Sequence, residues 1–137
     1  MSDLAVGTEL FNVSETIDQQ RIRAYAQASK DDNPIHVDEK VAVAVGLAGP
    51  VAHGMLTVGI GIGHVMWWLE EQPRRFLRYE ARFVKPVVVF ENIPAELSVS
   101  GVVGAVSEDE MRIDIQMRLK DSGQLVLRPF RVFVAGA

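Results

Sequence analysis

The chain contains no cysteine, which excludes disulfides, thiolate nucleophiles and cysteine metal sites. It has no lysine-rich run and no interleaving of basic with aromatic residues. Together with a formal charge of −4 at pH 7, that speaks against a nucleic-acid surface. A membrane-spanning run is also missing. The longest apolar stretch, residues 55–69, is broken by Gly59, Gly61, Gly63 and His64 and falls short of the ~20 residues a spanning helix needs. The opening Met1-Ser2-Asp3-Leu4-Ala5-Val6-Gly7 has neither a basic start nor a long apolar core, so no secretory signal is expected and the expected location is cytoplasmic. No internal repeat or low-complexity segment is present.

What is there is ordinary globular composition, 48% hydrophobic and 23% charged over 137 residues. That length suits one domain, residues 1–137, with a single core. Residues 8–16 read as a short strand. Residues 18–29 read as a helix, with Asp18 as N-cap and Ile22, Tyr25, Ala26 and Ser29 at helical spacing. Residues 38–45 read as a short helix capped by Asp38 and ended by Gly46.

Residues 54–70 carry conflicting signals. Val58-Gly59-Ile60-Gly61-Ile62-Gly63 alternates with the period of a strand, and each glycine costs a helix roughly 1 kcal/mol relative to alanine. Length and the helix-forming flanks Met55, Leu56, Met66 and Leu69 favour a helix, apolar all round and hence buried on all sides. Beyond it, residues 77–89, 95–106, 111–119 and 125–134 read as strands, with a hairpin at 120–124. Helices first and a meander of strands after make the class α+β.

The chemistry-bearing stretch is Asp31-Asp32-Asn33-Pro34-Ile35-His36. Proline fixes its own φ and pushes Asn33 into an extended conformation, so Asp31 and His36 cannot share a helical face and would converge across a stiff, extended bend. Such a bend can hold two titratable groups near one small volume, as proton transfer requires. The same residues also make an ordinary Asx turn.

Ser29-x-Asp31-x-Asn33-Pro34-Ile35-His36, followed by Ala52-His53-Gly54-Met55, resembles the MaoC-like dehydratases, or (R)-specific enoyl-CoA hydratases. The resemblance runs from about Arg21 to Trp68 and resumes at Tyr79-Glu80-Ala81-Arg82-Phe83-Val84-Lys85-Pro86-Val87. Within it, Val45-Gly46-Leu47 and the run from Ala52 to Gly61 look most like the catalytic subunit of a (3R)-hydroxyacyl-ACP dehydratase of type II fatty acid elongation. The resemblance implies a hot dog fold, an antiparallel sheet wrapped around one central helix. It also implies reversible hydration of a trans-2-enoyl thioester to the (3R)-hydroxyacyl thioester, without metal or cofactor.

In that reaction His36 would activate water, Asp31 would hold it and exchange the second proton, and the Gly54 backbone N–H would stabilise the enolate oxygen. Asn33 would orient Asp31 and His36, Asp32 would face solvent, and His53 would bond to backbone or line the pocket. His64 reads as a core histidine, and Trp67 and Trp68 as core or as the closed far end of a substrate tunnel along the helix. The spacing of His36, His53 and His64 matches no usual metal-ligand pattern, so no metal is expected. Arg74, Arg75, Arg78 and Lys85 form a basic cluster that reads as a solvated face or as a dock for the phosphate of CoA or of a carrier protein's phosphopantetheine.

Three departures from the family pattern stand out. Lys30 replaces the usual glycine before Asp31, no serine near Ile62 supports the aspartate, and Phe90-Glu91 replaces the usual Gly-Asp. The expected partner is an acyl-CoA or acyl-ACP substrate, with a homodimer or a heterodimer with another hot dog subunit. The competing expectations are a non-catalytic hot dog subunit and a hot dog thioesterase.

Overall fold

The computed structural model describes residues 4–136. Strand β1 (Glu9–Ile17) leads into helix α1 (Gln19–Ser29) and a single 3₁₀ turn (Pro34–His36). Helices α2 (Glu39–Ala44) and α3 (Gly54–Leu69) follow, and then strands β2 (Phe76–Phe83), β3 (Ala95–Val106), β4 (Glu110–Leu119) and β5 (Leu127–Ala135). The strands form one sheet in the order β1-β3-β4-β5-β2, and every neighbouring pair is antiparallel.

The core follows from alternation. Leu97, Val99 and Val103 on β3, Met111, Ile113, Ile115 and Met117 on β4, and Phe130, Val132 and Val134 on β5 all point to one face of the sheet and are buried. Leu56, Val58, Ile60, Val65 and Leu69 of α3 meet them there in one cluster. Each such side chain stabilises the fold by roughly 1.5–3 kcal/mol. Gly61 lets α3 approach the sheet, because a Cβ at that position would overlap the buried Phe130 ring. A five-stranded antiparallel sheet wrapped around one apolar helix is the hot dog fold.

The expected caps form: Asp18 accepts from the Arg21 N–H at 2.7 Å, and Asp38 accepts from the Lys40 and Val41 N–H groups. Gly46 ends the segment after α2 with φ +94°. The 120–124 hairpin closes with Gly123 N–H donating to the Leu119 carbonyl at 2.8 Å.

Two expectations change. The strand predicted over 77–89 stops at Phe83. The Val84 and Lys85 N–H groups turn to the Val126 carbonyl, and Pro86 has no N–H to continue a ladder. Val88 makes only an isolated bridge, to Val51.

Nor is α3 buried on all sides. Met55, Met66 and Trp67 are 50%, 45% and 73% exposed, because one sheet covers one face of a helix and this helix is apolar on the other face too. Trp67 is therefore not core, whereas Trp68 packs partly buried against it.

Candidate active site

Lys30 ends α1 in the left-handed region, at φ 62° and ψ 21°, a conformation that disfavours a side chain by roughly 1–2 kcal/mol. Lysine thus makes the left-handed turn for which the resemblance led to an expectation of glycine. Asp31 follows, its N–H donating to Ser29 Oγ at 3.2 Å. Asn33 is extended at ψ 124°, as a residue before proline should be, and its side chain caps the Pro34–His36 turn by accepting from the Ile35 N–H at 3.1 Å. The bend is extended at Asn33 and then tightens into a 3₁₀ turn, in which His36 is buried. Asn33 N–H points back to Asp31 Oδ1 at 3.4 Å.

His36 is buried, at 8% exposure. Its Nδ1 lies 2.7 Å from the Val51 carbonyl. A carbonyl accepts only, which assigns the proton to Nδ1 and leaves Nε2 with its lone pair. The His36 backbone is held in turn by Gln19, whose side-chain amide donates to the His36 carbonyl at 3.0 Å and the Val89 carbonyl at 2.7 Å. Sequence reasoning missed Gln19. Its position at the first residue of α1, two after the buried Ile17, gives no polar signal distinct from that of the exposed residue beside it.

Asp31 and His36 do converge. A carboxylate oxygen of Asp31 and one ring nitrogen from each of His36 and His53 lie within 4.8 Å of one another. His53 stacks on His36, with centroids 3.6 Å apart and planes 18° apart, and Tyr25 backs His53 at 4.8 Å. His53 Nε2 donates to the Asp31 carbonyl at 3.0 Å, so this histidine does bond to backbone. The stack argues against a shared metal ion. Imidazole lone pairs lie in the ring plane, and two nearly parallel planes 3.6 Å apart cannot both aim at one ion about 2.0–2.1 Å from each nitrogen.

Gly54 is the first residue of α3, so its N–H precedes every intrahelical acceptor and sits at the positive end of the helix dipole. Thr57, buried, donates its hydroxyl to the Gly54 carbonyl at 2.6 Å. His36, Gly54, Thr57, Phe83 and Lys85 wall one cavity of about 400 Å³. Asp31 is exposed and outside its walls. A larger apolar cavity of about 760 Å³ lies between β1, α1 and α3 and includes Tyr25, Leu56, Gly59 and Gly63. Of the two titratable residues, Asp31 and His36, only His36 lines the smaller one.

The basic residues divide. Lys85 reaches the cavity of His36. Arg78 lies near the start of β2 and Arg74 and Arg75 just before it, whereas Lys85 lies past its other end, Phe83. Arg78 is engaged, donating to both oxygens of Glu110 at 2.8 and 3.0 Å and lying 3.9 Å above the Phe133 ring. Those hydrogen bonds hold the Glu110 carboxyl below the usual carboxylate range. Arg74 donates from its guanidinium to the Ala135 carbonyl at 3.4 Å.

His64 is not the core histidine expected. It lies 3.6 Å from Glu15, stacks on Phe11 at 5.5 Å, and lines the larger cavity. At the altered 90–91 position, Glu91 is tied by Arg23 at 2.8 and 3.1 Å.

Comparison with known proteins agrees with this architecture. The chain is 29% identical over 105 residues to peroxisomal multifunctional enzyme type 2 of Mus musculus. That match covers 76% of this chain but 13% of the enzyme, so the chain spans about an eighth of that protein's length. It is 27% identical over 111 residues to an (R)-specific enoyl-CoA hydratase of Aeromonas caviae, covering 81% of this chain and 80% of the relative. The solved structure of an (R)-hydratase from A. caviae involved in PHA biosynthesis superposes over the whole of both chains, with a TM-score of 0.83 at 24% identity. The model of the MaoC-like domain matches residues 5–118, and the chain belongs to the MaoC-like domain family.

Proposed function

We propose that this protein reversibly hydrates trans-2-enoyl thioesters to (3R)-hydroxyacyl thioesters, with CoA or an acyl carrier protein as the thiol. The observation that carries this is the approach of the Asp31 carboxylate to the His36 ring, within 4.8 Å, beside the free N-terminus of α3. One water making two hydrogen bonds of about 2.8 Å spans such a gap. Its oxygen would add to C3 of the substrate while His36 Nε2 takes one of its protons. Asp31 would hold the water, and the proton taken from it would return through the Asp31/His36 pair to C2, so that the new C–O and C–H bonds replace one water O–H bond and the C2–C3 π bond. Negative charge would collect on the thioester oxygen and be met by the Gly54 N–H, which is fixed before the reaction and needs no reorganisation. Dehydration is the same path reversed.

Lys85 is the basic residue best placed to meet a phosphate of the substrate's carrier, being in the cavity with His36. Outermost strand β2 exposes Leu77, Tyr79 and Phe83 at 36%, 41% and 52%, which favours pairing with a second hot dog chain, identical or not. No helix among the described residues is long and apolar enough to cross a membrane, and the enzyme is proposed to act in the cytoplasm.

The test is addition of the purified chain to trans-2-butenoyl-CoA, following loss of the conjugated thioester absorbance, with His36→Ala alongside. Loss in the wild type only, with a 3-hydroxyacyl product, is the expected result. Release of free CoA instead would identify a thioesterase. No reaction with either carrier thiol would leave a non-catalytic subunit.

A further inference from the structure

Asp31 stands directly after Lys30, the one non-glycine residue with positive φ among the described residues. A left-handed residue with a side chain persists where its surroundings hold it. The local support is Ser29 Oγ, two residues away. The support from across the chain is His53, whose Nε2–H donates to the Asp31 carbonyl from 22 residues away. The same ring covers His36 face to face at 3.6 Å and is itself backed by Tyr25. One side chain therefore touches both members of the candidate acid/base pair through different parts of itself, its edge on the Asp31 backbone and its face on the His36 ring.

His53 is 2% exposed, and its Nδ1 has no hydrogen-bond partner among the described residues. A phenylalanine would stack equally well without burying that nitrogen, and a glutamine would donate equally well without the ring. Among side chains of this size, imidazole supplies a flat face and an N–H donor on its edge together, which accounts for a buried nitrogen left without a partner.

We propose that His53 is a positioning residue that holds Asp31 and His36 in register, and that its bond to the Asp31 carbonyl is what allows a lysine at position 30. The kinetic part of this inference rests on the hydratase reading above; the structural part does not.

The test uses the full chain as wild type, His53→Phe, His53→Gln, Lys30→Gly and the double variant Lys30→Gly/His53→Phe. Two readouts are taken: backbone hydrogen exchange over residues 31–36 and turnover of trans-2-butenoyl-CoA. His53→Phe should speed exchange over 31–36 about tenfold or more with β3 and β4 unaffected. It should also lower kcat by about 10- to 100-fold, the scale expected of a small misplacement of reacting groups, with KM within about twofold. His53→Gln, which also serves if His53→Phe does not fold, should keep exchange slow over 31–33 yet lose kcat through the missing stack. In the Lys30→Gly background the effect of His53→Phe on exchange should shrink by about threefold or more.

Exchange over 31–36 unchanged by His53→Phe overturns the positioning role. An equal effect in both backgrounds overturns the link to Lys30. Wild type without turnover, but with exchange responding as stated, overturns the hydratase reading and upholds the positioning role.

Discussion

The Gly54 α-carbon faces the ring of Phe83 so closely that a Cβ on it would sit 2.7 Å from Phe83 Cζ. Phe83 is half exposed and lines one cavity with Gly54 and His36, so the ring can give way, and what moves is a wall of that cavity. Gly54→Ala should therefore change stability by less than about 1 kcal/mol while lowering kcat for enoyl thioester hydration at least tenfold, or roughly 1.4 kcal/mol of transition-state stabilisation. Steady-state kinetics beside a urea titration checks both. A stable variant with wild-type kcat would show that a Cβ beside Phe83 leaves the site intact.

His36→Gln and Asp31→Asn keep size and polarity but remove proton exchange. Each should lower kcat by about 10²- to 10⁴-fold, the usual contribution of a positioned acid or base, with a smaller change in KM. Because the two groups are proposed to act on one water, the double variant should lose little more than the worse single one. Losses that multiply would show that the residues act on separate steps.

The glycines of α3 should part company. Gly61 lies against the buried Phe130 ring, whereas an added Cβ at Gly59 or Gly63 meets nothing within 4 Å. Gly61→Ala should destabilise by about 1–3 kcal/mol through overpacking. Gly59→Ala and Gly63→Ala should each stabilise by about 0.5–1 kcal/mol by raising helix propensity. Urea midpoints for the three variants decide it, and the same sign for all three would refute the packing account.

Lys85→Ala should raise KM for a CoA substrate several-fold with kcat nearly unchanged, the signature of lost uniform binding. The pair Arg75→Ala and Arg78→Ala, at the far end of β2, tests whether that cluster docks the carrier instead. A rise in KM there and none at Lys85 would move the phosphate to the other end of the strand.

The acid limb of stability has identifiable sources. Hydrogen bonds from Arg78 hold Glu110 below the usual carboxylate range, and those from Arg23 do the same for Glu91. A carboxylate whose folded-state pKa is depressed adds stability that is complete above its unfolded pKa and is lost as pH falls through the folded value. Replacing both by glutamine should flatten the decline of Tm between neutral pH and about pH 3, since the variant has nothing there to protonate. Parallel curves for wild type and variant would place the acid sensitivity elsewhere.

Much of this molecule was legible in the sequence, for reasons that differ by element. Asp18 and Asp38 announced their helices because a cap is a local bond between a side chain and backbone two or three residues on. The strands from Ala95 onward were legible because one buried face imposes strict alternation. The strand over 77–89 was overextended because Val87 and Val89 are buried in the core without belonging to the ladder, and burial alone does not distinguish the two. Asp31 and His36 could be paired from Asn33-Pro34. Their support by Gln19 and His53 could not, since those contacts close over 17 and 22 residues and nothing local to either residue depends on them. The left-handed turn at Lys30 was visible only as a departure, a lysine where the pattern has glycine.

Strand β2 stands outermost in the sheet, and its last residue, Phe83, is also a wall of the cavity that His36 lines, where the reaction is proposed to occur. Anything that docks along that margin therefore touches the chemistry without entering it. Should a second chain settle there, turnover per molecule would inherit the mass-action law of assembly: diluting the protein would slow each surviving catalyst, and a partner of different sequence could retune the enzyme while leaving Asp31, His36 and Gly54 as they are.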